Sequence, residues 1–85
     1  MPEISRFFGI IIYMYGYDHN PPHFHFTYGE YKGIMYINDG VVEGKVPTKI
    51  VKKVATWLEL HKEELLADWE LSQKGEELFK IDPLT

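Results

Sequence analysis

The stretch HFHFTYGEYKGIMYINDGVVEGKV, residues 23–46, decides the fold. Its first six residues alternate: Phe24, Phe26 and Tyr28 fall on one side, His23, His25 and Thr27 on the other, as a half-buried strand requires. Gly29-Glu30 has the glycine-first form of a two-residue hairpin loop, and Asp39-Gly40 is a second hairpin signal. Together they predict a three-stranded meander over 23–46. The first turn sets Tyr28 opposite Tyr31, His25 opposite Ile34 and His23 opposite Tyr36. The second sets Tyr36 opposite Glu43 and Ile34 opposite Lys45. Because side chains switch faces every residue, one face then carries Phe24, Phe26, Tyr28, Tyr31, Met35, Ile37, Val42 and Val46. The other carries His23, His25, Thr27, Lys32, Ile34, Tyr36, Glu43 and Lys45. Turns chosen on local chemistry thus sort apolar from polar residues, and that agreement supports the register.

Working outward, residues 6–15 are apolar on both alternating faces, which predicts a fourth strand covered on both sides or central in its sheet. Gly16 to Pro22 follows as an ordered loop, since its two prolines forbid a helix. On the other side, Pro47-Thr48 marks a helix start. Ile50, Val51, Val54, Trp57, Leu58, His61, Leu65 and Trp69 recur at helical spacing, and Gly75 supplies a stop. The run over 48–74 is long for so small a chain, so a break near His61 is expected, giving two helices or one long broken helix. The expectation is an α+β fold: a small antiparallel sheet of about four strands, packed on one face by the C-terminal helices, with residues 1–85 forming a single domain. Leu78, Phe79, Ile81 and Leu84 would dock the tail.

Composition bounds the function. Of 85 residues, 45% are apolar and 15% aromatic, enough for a dense core. Nine basic residues against 13 acidic ones give a net charge of −4, which argues against bulk phosphate binding. There is no cysteine, so disulfides and thiolate metal sites are excluded and a reducing compartment fits best. The run Ile10-Ile11-Ile12 lacks the basic leader and cleavage site of a signal peptide, and no stretch reaches the roughly 20 apolar residues of a membrane helix. The sequence therefore reads as cytoplasmic, with no membrane partner.

The loaded segment is Asp18-His19-x-x-x-His23-x-His25, which holds three of the four histidines. His23 and His25 share a strand face roughly 6–7 Å apart at the backbone, and His19 lies on the proline-stiffened loop that can fold over them. Three readings stay open. The histidines can simply satisfy loop hydrogen bonds. They can act as general acid and base, since two positioned imidazoles take a proton from one oxygen and give one to another, as RNA cleavage through its own 2′-hydroxyl requires. Tyr36, Glu43 and Lys45, on the same predicted face, would orient an imidazole or steady phosphate charge. Alternatively, His19, His23 and His25 can hold a divalent transition metal such as zinc, with an open position. Of the aromatics, Phe24, Phe26 and Tyr28 read as core, and Tyr36 is the one kept as a stacking candidate. The helix lysines and the acidic segment 59–70 read as a solvated face, the latter also able to meet a basic partner. Trp57 and Trp69 read as core, and His61 as a helix-break residue.

The run Pro2 to Ile10, the core Asp18-His19-Asn20-Pro21-Pro22-His23-Phe24-His25 with Tyr28-Gly29-Glu30, and Trp57, His61, Glu64-Leu65 and Trp69 together resemble the bacterial domain of unknown function family 4160. The resemblance covers nearly the whole chain. It implies small bacterial proteins, often encoded beside a second short protein, and so a toxin–antitoxin context with a small antitoxin-like partner. By position it points to His19, His23 and His25, with Tyr28 and Glu30 in the adjoining turn. The leading expectation is a toxin-like component acting on RNA by metal-independent histidine acid–base chemistry. Here His23 and His25 would be acid and base, and His19 or Glu43 would orient one of them, with no cofactor. The alternatives are a three-histidine metal-binding module and a non-catalytic module that docks a partner protein. A homo-oligomer is compatible with each.

Overall fold

The computed structural model describes residues 2–84. Five strands, β1 (Glu3–Phe7), β2 (Ile10–Tyr13), β3 (His23–Tyr28), β4 (Tyr31–Tyr36) and β5 (Val42–Glu43), form one antiparallel sheet in the order β1-β2-β3-β4-β5. One helix, α1 (Thr48–Gln73), follows. The α+β class is as the sequence predicts, but the details differ.

The single strand expected over 6–15 is two strands. Phe8 and Gly9 both take positive φ, 49° and 78°, and Phe7 pairs with Ile10, so the chain reverses in a two-residue turn of the kind that suits a twisted hairpin. A phenylalanine rarely adopts such a φ, and the sequence carries no Asn-Gly or Asp-Gly to announce it. β2 then lies beside β3, with Tyr13 opposite His25.

The β3–β4 register is the expected one, with His23 opposite Tyr36 and Tyr28 opposite Tyr31. The β4–β5 register is not: Ile34 faces Glu43, where Tyr36 was expected to, and Lys45 lies beyond the sheet. The cause is a longer loop, closed by hydrogen bonds from Tyr36 N to Val41 O and from Gly40 N to Tyr36 O. The slip is by two residues, so every side chain keeps its face. At Gly33 the lack of a side chain is required: a Cβ there would lie 2.6 Å from the Phe26 ring, which crosses the strand at that point.

The helix forms one element with a non-helical residue inside it, His61 (φ −127°, ψ 23°), where the break was expected. Gly75 (φ 68°) ends the helix; the Gly75 and Glu76 amides return to the Ser72 and Leu71 carbonyls, satisfying the last turn. Ile50, Val54, Trp57, Leu58, Leu65 and Trp69 lie buried with Ile10, Ile12, Phe24, Phe26, Met35 and Ile37 of the sheet. Each such side chain stabilises the fold by about 1.5–3 kcal/mol. The tail crosses back: Ile81 N donates to Ile4 O, Trp57 Nε1 to Asp82 O and Phe79 N to Asp68 Oδ1. Of the apolar tail residues, Ile81 is buried while Phe79 stays exposed. No helix among the described residues is long and apolar enough to cross a membrane.

Candidate functional site

Helix α1 covers one sheet face. On the other face, alternation along β3 sets His23 and His25, and the loop from Met14 to Pro22 folds over them. Two contacts with the end of α1 fix that loop: Tyr17 N donates to Ser72 O at 3.0 Å, and Gln73 Nε2 donates to Asp18 O at 3.0 Å. Tyr17 takes a positive φ of 58°, and the Asn20–Pro21 peptide is cis. The loop carries Asp18 to the two imidazoles. Its Oδ2 lies 2.9 Å from His23 Nε2 and 3.2 Å from His25 Nε2, while its Oδ1 accepts the His19 amide at 2.9 Å.

The hydrogen bonds constrain protonation. His23 Nδ1 lies 2.8 Å from the Pro21 carbonyl oxygen, which can only accept, so Nδ1 carries the proton. In a neutral His23 the remaining nitrogen, Nε2, is a lone pair facing a carboxylate oxygen. Without a metal ion, that 2.9 Å contact needs a second proton, on the ring or on the carboxyl. A cation between the two groups removes the requirement. Metal-bound histidines hold their other N–H on a carbonyl or carboxylate in this way.

Burial alone would raise the Asp18 carboxyl, but hydrogen bonds from His25, the His19 amide and His23 outweigh it and hold its pKa below the ordinary value. The three ligand atoms of Asp18, His23 and His25 lie within 4.8 Å of one another. Metal–nitrogen and metal–oxygen bonds of about 2.0–2.2 Å set neighbouring ligand atoms roughly 3.0–3.4 Å apart, close to the 2.9 and 3.2 Å seen here. Those two oxygen–nitrogen separations suit a divalent transition metal, and the two imidazole nitrogens lie within 4.8 Å of each other.

Aromatic rings wall the cluster. Tyr13 stacks on His25 with centroids 5.4 Å apart, and Tyr15 meets it edge-on at 4.6 Å. His23, 7% exposed, is enclosed by Trp69 at 5.2 Å and Tyr36 at 5.6 Å. Burial raises the Tyr13 phenol. Beside His25 opens a cleft of about 440 Å³, bounded by Tyr13, Tyr15, Lys32, Ile34, Glu43 and the backbone of Gly33 and Gly44.

The residues expected from sequence divide as follows. His23 and His25 come together. His19 is exposed and lies outside the cluster, and Asp18 takes the place given to it. Tyr36 donates its hydroxyl to Glu43 Oε2 at 3.1 Å, and that bond, more than desolvation, raises the phenol's pKa. Glu43 borders the cleft, whereas Tyr36 packs on His23. Lys45 is exposed beyond β5, and Lys32 is the lysine at the cleft. His61 sits with Glu64, 2.6 Å away, far along the helix. Sequence reasoning did not name Asp18 among the candidate donors, Trp69 as a wall, or Tyr13 and Tyr15 as neighbours of His25. Asp18 was flagged only by adjacency to His19, and the tyrosines required the β2–β3 register.

Residues 9–70 match a family profile described as "Domain of unknown function (DUF4160)". No curated protein and no solved structure matches the chain.

Proposed function

The chain belongs to the DUF4160 family, whose description assigns no activity, and from the site we propose that the protein holds one divalent transition-metal ion through Asp18 Oδ2, His23 Nε2 and His25 Nε2. The observation that carries this reading is the Pro21 carbonyl on His23 Nδ1, which commits that nitrogen's proton and leaves Nε2 as a lone pair directed at Asp18. Two imidazoles and one carboxylate suit zinc, iron(II), cobalt(II) or nickel(II) far better than magnesium or calcium. Three protein ligands leave positions for water or substrate, where a metal ion activates water or polarises a bound oxygen.

The test is titration of the chelator-treated chain with zinc by calorimetry, and with cobalt(II) by visible absorption. The expected result is one equivalent bound by wild type and at least about tenfold weaker binding by Asp18→Ala or His23→Ala. His19→Ala should bind as wild type does. Equal binding by all four chains, or none by wild type, would remove the reading.

A second reading is favoured by one observation: His25 stands at the cleft beside the Glu43–Tyr36 pair. On this reading Asp18 orients His25, which exchanges protons with a bound RNA, and the protein is the toxin-like half of a two-gene module. RNA cleavage that survives chelation and is lost in His25→Ala would select it. Cleavage abolished by chelation and restored by zinc would return the chemistry to the metal.

A further inference from the structure

The pairing register places Glu3, Tyr13, His25, Ile34 and Glu43 in one row across all five strands. On the face that bears the cluster, strands lie about 4.8 Å apart, so His25 and Glu43 are separated at the backbone by roughly 10 Å. Lys32 stands two residues from Ile34 on the same face, roughly 7 Å along the strand. The cleft over this part of the sheet, about 440 Å³, falls within the roughly 300–1,000 Å³ of small-molecule sites.

Its chemistry is specific. Glu43 Oε2 accepts the Tyr36 hydroxyl. Its other carboxylate oxygen receives no hydrogen bond from the described residues. A carboxylate only accepts, so this rim selects a ligand with hydroxyl donors and repels an anionic group. Lys32, exposed at the same cleft, forms no ion pair among the described residues and suits such an anionic group. Tyr15, 40% exposed, offers a ring face or edge to a planar group. Hydroxyls at one position, an anion at a second and a flat ring at a third are the parts of a ribonucleotide. The net charge of −4 favours a short ligand over a long polyanion.

We infer that the cleft receives a single ribonucleotide unit, with its 2′-hydroxyl donating to Glu43, its phosphate facing Lys32 and its base against Tyr15. The inference rests on reading the His25 cluster as the functional centre, and it holds with or without a metal ion there. A carboxylate that accepts the 2′-hydroxyl is also what separates RNA from DNA at a site.

The probes are adenosine 5′-monophosphate, its 2′-deoxy analogue and adenosine, titrated into the full chain and followed by amide chemical shifts. The expected order is ribonucleotide over deoxyribonucleotide by about tenfold, the value of one hydrogen bond to a charged group. Glu43→Ala should abolish that preference by weakening only the ribonucleotide. Lys32→Gln should weaken both nucleotides and leave adenosine unchanged. Both positions are exposed, so the variants keep the fold. Equal binding of the two nucleotides, shifts confined to another surface, or no binding of any probe at millimolar concentration would overturn the inference. Zinc titration of the same samples separates the two failures. A chain that prefers the ribonucleotide but binds no metal retains the cleft assignment alone; one that binds zinc and ignores the sugar retains only the centre.

Discussion

Asp18 is the residue on which the cluster turns. One carboxylate oxygen serves two imidazoles, and the other takes a backbone amide. Its folded pKa is lowered, so its contribution to stability is present above the unfolded carboxylate value and is lost as pH falls through the folded one. In the metal-free chain, Asp18→Asn should therefore destabilise at neutral pH, by about 1–3 kcal/mol for the bonds removed from half-buried partners. It should cost progressively less on acidification through the carboxylate range. Urea unfolding of both chains between pH 3 and 7 checks this; a gap that does not narrow at low pH would assign the effect to packing instead. The two histidines were legible in the sequence because strand alternation puts them on one face whatever else happens. The choice between Asp18 and His19 was not. Both sit on the same loop, and the contacts that turn Asp18 inward come from Ser72 and Gln73, more than 50 residues away in sequence.

At the scale of elements, what was legible is what glycine and proline punctuate. Gly29-Glu30 set the β3–β4 register and Gly75 the helix end. The Phe8–Gly9 turn went unread because its first residue is one that turns seldom use. Asp39-Gly40 marked the right place for the wrong loop length, and since the error was even, Glu43 reached the outer face while Lys45 left the sheet. Gly33 illustrates a close fit that no periodicity reports. It sits opposite Phe26, whose ring occupies the space where a Cβ would be. Phe26 is fully buried and cannot swing aside without displacing its neighbours. Gly33→Ala should therefore destabilise by about 1–3 kcal/mol, the usual cost of overpacking. In a Phe26→Leu background the same change should cost clearly less, because the two positions share one volume. Thermal melts of the four chains form the cycle, and additive losses would show that the ring and the glycine do not compete.

Across the whole molecule, the helix buries the apolar sheet face, while His23 and His25 on the other face meet the Met14–Pro22 loop and, at His23, Trp69 near the helix's end. The proposed ligands span loop and sheet, with Asp18 on the loop and His23 and His25 on β3, so an ion bound there would tie the loop to the sheet. The unfolded chain keeps no such arrangement, and an ion that binds the folded form alone stabilises it by mass action, by about 2.7 kcal/mol when the ion is at 100 times its dissociation constant. For a chain of this size each kcal/mol moves the midpoint by about 4–8 °C, so saturating zinc should raise the melting temperature by roughly 10–20 °C. Weak binding to histidines of the unfolded chain would reduce this. Magnesium at the same concentration should do little, because it prefers oxygen ligands and keeps its water. His23→Ala should show no more than about half the wild-type zinc shift, as tenfold or weaker binding requires, while His19→Ala, outside the cluster, should retain the full shift. A wild-type melt that zinc leaves unmoved, in a chain whose Asp18→Asn variant still shows the acid dependence argued above, would mean that the carboxylate–imidazole cluster is a protonated hydrogen-bond network and not a metal centre.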